Sequence, residues 1–234
     1  MRAGEMGAGC EEEREPLWSE ALATLAQAAE TMAALHARGL VHCDLKPAHL
    51  LVVQRDGPVR RRLDPVILGV SAMVSTRGQS FQRMPGDLRG TPAFMAPEQA
   101  PPEESSEGPA LDGRCDVYAL GGVMFELFSG ELPFQGGNLL EVLARRWMEQ
   151  APSLGALAPR VPAPIRDLVD RMLARQRGDR PDMAEVASRL SELAKASGDE
   201  PMPPVERNKP TGEYQVSAPE DELALVDEET DPAG

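Results

Sequence analysis

Cysteine is scarce in this chain, and its three cysteines stand far apart. Cys10, Cys43 and Cys115 are odd in number and widely spaced. That excludes a disulfide framework and a zinc-site spacing, and it points to a reducing compartment. Long apolar runs are missing too. None approaches the ~20 residues that a membrane-spanning helix needs, and the first residues lack the apolar core of a signal peptide. These lacks predict a cytoplasmic protein. Basic charge is also short: 24 Lys and Arg face 38 Asp and Glu, for a formal net charge of −14. The basic stripe that nucleic-acid binding requires is therefore not present. No internal repeat is visible.

The charge is placed unevenly. Residues 197–234 hold 11 acidic and 2 basic residues, and residues 1–15 hold 5 and 2. The stretch between them is close to neutral. A hydrophobic fraction of 41% supplies enough apolar residues for a core, and 234 residues allow one to two domains. The expected division is a disordered acidic segment at 1–15, one folded domain at 16–196 and a disordered acidic tail at 197–234.

Within the domain, Trp18, Leu22, Leu25, Ala29, Met32 and His36 recur at steps of four and three, which puts them on one helical face. Gly39 stops that helix. Leu50–Val53 and Pro65–Ala72 read as short strands of a hairpin, with Arg55-Asp56-Gly57-Pro58 turning between them. Residues 73–98 lack periodicity, as functional loops do. Helical patterns resume at 114–129, after Asn138, from Pro164, and after Asp182, where Asp182 and Glu185 have the spacing of a capping box. Gly130 ends the first of these.

Between the first helix and the strand Leu50–Val53 lies His42-Cys43-Asp44-Leu45-Lys46-Pro47-Ala48-His49. The order His-x-Asp-Leu-x-x-x-Asn is the catalytic-loop signature of protein kinases. Further along come Gly90-Thr91-Pro92-Ala93-Phe94-Met95-Ala96-Pro97-Glu98-Gln99, then Asp116-Val117-Tyr118-Ala119-Leu120-Gly121, then Gly178-Asp179-Arg180-Pro181. With these four motifs in family order, residues 17–196 resemble the large C-terminal lobe of a bacterial-type (Hanks-type) serine/threonine protein kinase. The fold the resemblance implies is a mainly α helical bundle around a central buried helix, with a small β-hairpin.

The resemblance also implies roles. Phosphoryl transfer rests on positioning and charge neutralisation. Asp44 would orient the substrate hydroxyl, Lys46 would supply positive charge near the transferred group, and Thr91 would hydrogen-bond near both. Glu98 and Arg180 would form a buried ion pair. Asp116 would accept backbone N–H groups around His42 and Cys43, and His42 would pack and bond within the loop. These last four are structural roles.

Three departures follow. His49 stands where the family has a magnesium-binding Asn, and an imidazole is a poor magnesium ligand. Ile67-Leu68-Gly69 stands at the Asp-Phe-Gly position; Leu68 can replace Phe in packing, but Ile67 has no oxygen to offer a metal. Asp64 is the alternative carboxylate, three residues early. Finally, the Gly-rich loop, strand Lys and helix Glu of an N-terminal lobe do not precede Leu17, so the expectation is a C-lobe whose N-lobe is missing. Glu5-Met6-Gly7-Ala8-Gly9 is at most a remnant of the hinge between lobes. Cys43 and His49 on one loop do not make a zinc site.

The function this implies is a catalytically impaired pseudokinase that works by binding a protein, for which a kinase or a kinase substrate is the natural partner. No cofactor is expected on that reading. The alternative is an active serine/threonine kinase using ATP and Mg2+, with its N-lobe supplied by upstream sequence or another chain. A decaying gene fragment is a third.

Overall fold

The computed structural model describes residues 16–55, 62–69, 73–76, 91–99 and 111–205. Helix α1 spans Trp18–Ala37. Of the residues that the periodicity put on one face, Trp18, Leu22, Leu25, Ala29 and Met32 are buried and His36 is half-buried; Thr24, Ala26 and Ala28 are buried beside them. It lies along α6 (Met183–Ser197), whose Met183, Val186, Leu190 and Leu193 are buried in the same core. Burying a side chain of this size contributes ~1.5–3 kcal/mol, so this helix pair anchors the domain.

Helix α2, Arg114–Ser129, runs through the centre, and every residue from Cys115 to Phe125 is buried. A helix stretch enclosed on all sides must be apolar all round, and Cys115–Phe125 is, apart from Asp116 and Tyr118. Gly121 permits the closest approach: a Cβ there would stand 2.9 Å from Cβ of Met172. Met172 ends α5 (Ala163–Met172), which packs across α2. Trp18 and Phe128 close the far end, ring centroids 5.3 Å apart.

Helix α3 is Leu139–Met148, capped by Asn138, whose side chain accepts the Glu141 N–H at 2.9 Å. A short α4, Leu154–Leu157, precedes α5 and was not legible in the sequence. Asp182 caps α6 through the Glu185 N–H at 2.8 Å, as the capping-box spacing predicts. The Glu185 carboxylate turns instead to Arg171.

Two small antiparallel sheets complete the described structure. Strand β1 (Leu40–Val41) pairs with β4 (Val74–Ser75), so the segment from 73 is not wholly irregular. Strand β2 (Leu50–Arg55) pairs with β3 (Arg62–Ile67), in the register Leu50 opposite Ile67. The hairpin is therefore present, but its second strand starts and ends earlier than the sequence suggested. Pro65 sits inside it opposite Val52, which is tolerable because a two-stranded ribbon is all edge. The turn between β2 and β3 lies outside the described residues, as do 1–15, 70–72, 77–90 (most of the segment expected to be irregular), 100–110 and 206–234.

The C-terminal boundary also lies later than the shift to Pro and acidic residues suggested. Trp18 N–H donates to Glu200 O at 3.0 Å, Met202 N–H donates to Pro16 O at 2.7 Å, and Met202 is buried in the core. One apolar residue in a Pro-rich stretch gives no periodic signal, yet it ties the chain back to the start of α1.

Candidate functional site

The site is built around Asp116, in the first turn of α2 and fully buried. A buried carboxylate must be satisfied by donors. Oδ2 accepts His42 N–H at 2.8 Å and His36 Nε2 at 2.8 Å, and Oδ1 accepts Cys43 N–H at 2.8 Å. The two amide contacts are those the resemblance implied. The clamp holds Cys43 at φ 65, the one non-glycine residue with positive φ among those described. Such a backbone costs roughly 1–2 kcal/mol, which the bonds to Asp116 offset. The thiol of the neighbouring Cys115 is held well above its ordinary 9.0, first by its hydrogen bond with Cys43, then by burial and by Asp116.

His42 is fully buried and spans the loop. Its Nε2 lies 2.7 Å from Leu68 O, and its Nδ1 accepts Asp44 N–H at 3.3 Å. An acceptor at Nδ1 assigns the proton to Nε2.

Asp44, Lys46 and Thr91 come together. Thr91 donates its N–H to Asp44 Oδ1 at 2.6 Å and its hydroxyl to the same oxygen at 2.9 Å. Lys46 Nζ donates to Thr91 Oγ1 at 2.7 Å and stands 3.6 Å from Asp44 Oδ2. A half-buried carboxylate, an ammonium and a hydroxyl thus share one corner. That corner can orient a hydroxyl and hold negative charge.

His49 closes the corner from the other side. The 3-10 turn Pro47–His49 brings its Nδ1 2.6 Å from Asp44 O, where it donates, and 3.6 Å from Asp44 Oδ2. Its ring lies against the Gly69 backbone: a Cβ on Gly69, at φ +84, would stand 2.6 Å from Cε1 and Nδ1. The imidazole therefore fills the space between the Asp44 loop and the Ile67-Leu68-Gly69 segment. Leu68 does not pack as a substitute for Phe. The residue is 40% exposed, and its backbone does the holding, with N–H donating to His49 O at 2.8 Å and O meeting His42.

Magnesium, which takes oxygen ligands, does not fit these donors. His49 spends Nδ1 on a carbonyl, Ile67 offers none, and Asp44 Oδ1 is already occupied by two Thr91 donors. Asp64 lies in mid-strand opposite Val53. It is three residues from Ile67, hence on the other face of the ribbon and about 10 Å along it. Among the described residues no cluster of three His, Cys, Asp or Glu could hold a metal ion.

The segment around Thr91 is fastened from three sides. Arg180 and Glu98 form the expected ion pair, Nη1 to Oε1 at 2.7 Å and Nη2 to Oε2 at 2.9 Å, with side chains 0% and 7% exposed. Gln99 accepts Ala96 N–H at 2.9 Å and donates to Cys43 O at 2.7 Å, joining this segment to the Asp44 loop. Arg146, on α3, is buried and donates to Pro92 O, Ala93 O and Met95 O. Both arginines flank Tyr118, 5.9 Å and 4.8 Å from its centroid. Burial pushes the Tyr118 phenol up from 10.0, against the pull of the two guanidiniums.

Sequence reasoning missed Gln99 and Arg146, and it counted His36 only as part of a helical face. A signal existed for two of them. His36 continues the buried stripe of α1, and Arg146 lies four residues after buried Val142 on α3. A polar side chain on a core-facing stripe needs a partner. Gln99 carried no such mark.

The protein kinase domain matches residues 9–190. The chain is 35% identical over 161 residues to serine/threonine-protein kinase Pkn1 of Myxococcus xanthus, covering 68% of this chain and 22% of the relative. It is 35% identical over 189 residues to serine/threonine-protein kinase PkaA of Streptomyces coelicolor, covering 80% and 32%. It is 36% identical over 193 residues to the probable serine/threonine-protein kinase PkwA of Thermomonospora curvata, covering 82% and 23%. The chain thus spans a third or less of the length of these relatives. No helix among the described residues is long and apolar enough to cross a membrane.

Proposed function

The chain belongs to the protein kinase family, and from that premise we propose that it is a catalytically impaired kinase-like protein that acts by binding a protein partner. One observation carries this reading. At the two positions where the family holds magnesium, this chain has Ile67, which offers no donor, and His49, whose ring is bonded to Asp44 O and packed against Gly69. Losing metal clamps removes several kcal/mol of transition-state stabilisation, and each ~1.4 kcal/mol is tenfold in rate. The surface offered to the partner is the rim of Lys46 and Thr91, the described residues 73–76 and 91–98, and α3. By analogy within the family, the partner is a kinase or a kinase substrate.

The Asp44–Thr91–Lys46 corner favours a second reading, in which the chain is part of an active ATP-dependent serine/threonine kinase. Asp44 would then orient the hydroxyl and Lys46 would support the transferred charge, with the rest of the nucleotide site coming from upstream sequence or another chain.

Labelled-phosphate transfer from ATP by the full chain, with Asp44→Asn as control, separates the two. The binding reading expects no transfer that depends on Asp44. Transfer that disappears in the control overturns it.

A further inference from the structure

We propose that Arg146 is a positioning residue that sets the shape of the Pro92–Met95 turn and makes α3 a working part of the rim around Thr91. The proposal deepens the binding reading and rests on it for its functional meaning. Its geometry stands apart from any partner.

Arg146 is 2% exposed on a helix whose neighbouring residues are largely exposed, and it points inward. Its guanidinium covers three backbone oxygens of one short segment: Nη1 reaches Pro92 O and Met95 O (the latter 2.8 Å), and Nη2 reaches Ala93 O at 2.7 Å. A planar fork can serve several carbonyls from a fixed direction, which an ammonium cannot do. Phe134, 5.6 Å from the guanidinium carbon, and Tyr118 close over its faces.

The consequence runs directly to the site. The turn that Arg146 holds begins at Thr91, whose carbonyl accepts Phe94 N–H at 2.9 Å and Met95 N–H at 3.2 Å. The Thr91 N–H and hydroxyl both engage Asp44 Oδ1, and its hydroxyl receives Lys46. Buried carbonyls deprived of their donor must find water or move. If the turn moves, Thr91 moves with it. Glu98–Arg180 and Gln99 fasten the other end of the segment, so at the end that meets Asp44 the turn depends on Arg146 and on Thr91's own bonds.

Backbone amide exchange on the full chain tests this. Arg146→Met keeps length and burial but removes the fork, and Arg146→Lys keeps the charge without the planar geometry. Asp182→Ala, which removes the α6 cap, is the control for general destabilisation. The expected result is roughly tenfold faster exchange at Thr91, Phe94 and Met95 in Arg146→Met, a smaller rise in Arg146→Lys, and none confined to those amides in Asp182→Ala. Unchanged exchange at 91–95 in Arg146→Lys overturns the proposal, and this variant decides the matter if Arg146→Met does not fold. A rise of equal size in Asp182→Ala also overturns it. The exchange result holds whether or not labelled phosphate is transferred, so failure of the functional reading and failure of this inference remain distinguishable.

Discussion

Thr91 gives both of its donors to a single oxygen of Asp44, its N–H at 2.6 Å and its hydroxyl at 2.9 Å. The Asp44 loop and the 91–99 segment are thereby locked at one atom. Thr91→Val keeps the shape and the N–H but removes the hydroxyl, which also strips Lys46 of its 2.7 Å acceptor. The expected loss is ~1.5–3 kcal/mol, since the bond is to a charged group. Urea unfolding measures it, and Thr91→Ser should restore most of it.

Asp116 serves three donors from two other parts of the chain. Asp116→Ala leaves two amides and an imidazole without their acceptor, at ~1–3 kcal/mol for each orphaned buried group. His36→Ala removes one donor and leaves the carboxylate bound by the amides, so its cost should be well below that of Asp116→Ala. Equal costs for the two variants would show that the amide contacts contribute nothing.

Glu98 and Arg180 are buried together. Removing only the carboxylate, as in Glu98→Ala, strands the guanidinium and should cost ~3–5 kcal/mol. A double-mutant cycle with Arg180→Met should recover much of that loss. Arg180 also donates to Ala174 O, Arg114 O and Arg175 O, and a Glu98→Ala cost below about 1 kcal/mol would mean that these carbonyls suffice without the pair.

Gly69 is constrained twice, by φ +84 and by the His49 ring. Gly69→Ala should cost ~1–2 kcal/mol for the backbone alone, plus the displacement of the ring. In a His49→Ala background only the backbone cost should remain. If the two substitutions add without coupling, the close approach has no energetic weight.

Cys115 and Tyr118 both hold their protons longer when folded, since their ordinary values are 9.0 and 10.0 and both are raised. Above those values the unfolded chain loses protons first, so it binds fewer protons than the folded chain. Stability is therefore fully present below about pH 9 and falls as pH rises beyond it. Unfolding free energies at pH 8 and pH 10.5 should show the decline, and Cys115→Ala should remove its earlier part. A flat profile for the unaltered chain would sink this linkage.

Much of this fold could be read in the chain itself. The buried stripe of α1, the largely apolar run of α2 and the caps Asn138 and Asp182 are local patterns, and local patterns survive folding because periodicity and capping act within a few residues. The Glu98–Arg180 pair and the Asp116 contacts join residues that lie in the four motifs, which is why those residues stood out in the chain. The limits of β3 were less legible, because a proline near its middle reads as a boundary. Met202 was invisible, because one apolar residue has no period.

The sequence by itself determined the family, the order of the long helices and the presence of His49 and Ile67 in the motifs that carry the resemblance, since each is a matter of residue type at a spacing. The tertiary structure decided what those substitutions do. His49 could have pointed anywhere; the 3-10 turn Pro47–His49 and the bare Gly69 backbone aim it into the gap between the Asp44 loop and Ile67. It also decided that Gln99 and Arg146 belong to the site. Their partners lie 56 and 51–54 residues away along the chain, and only packing brings such carbonyls within reach of a buried donor.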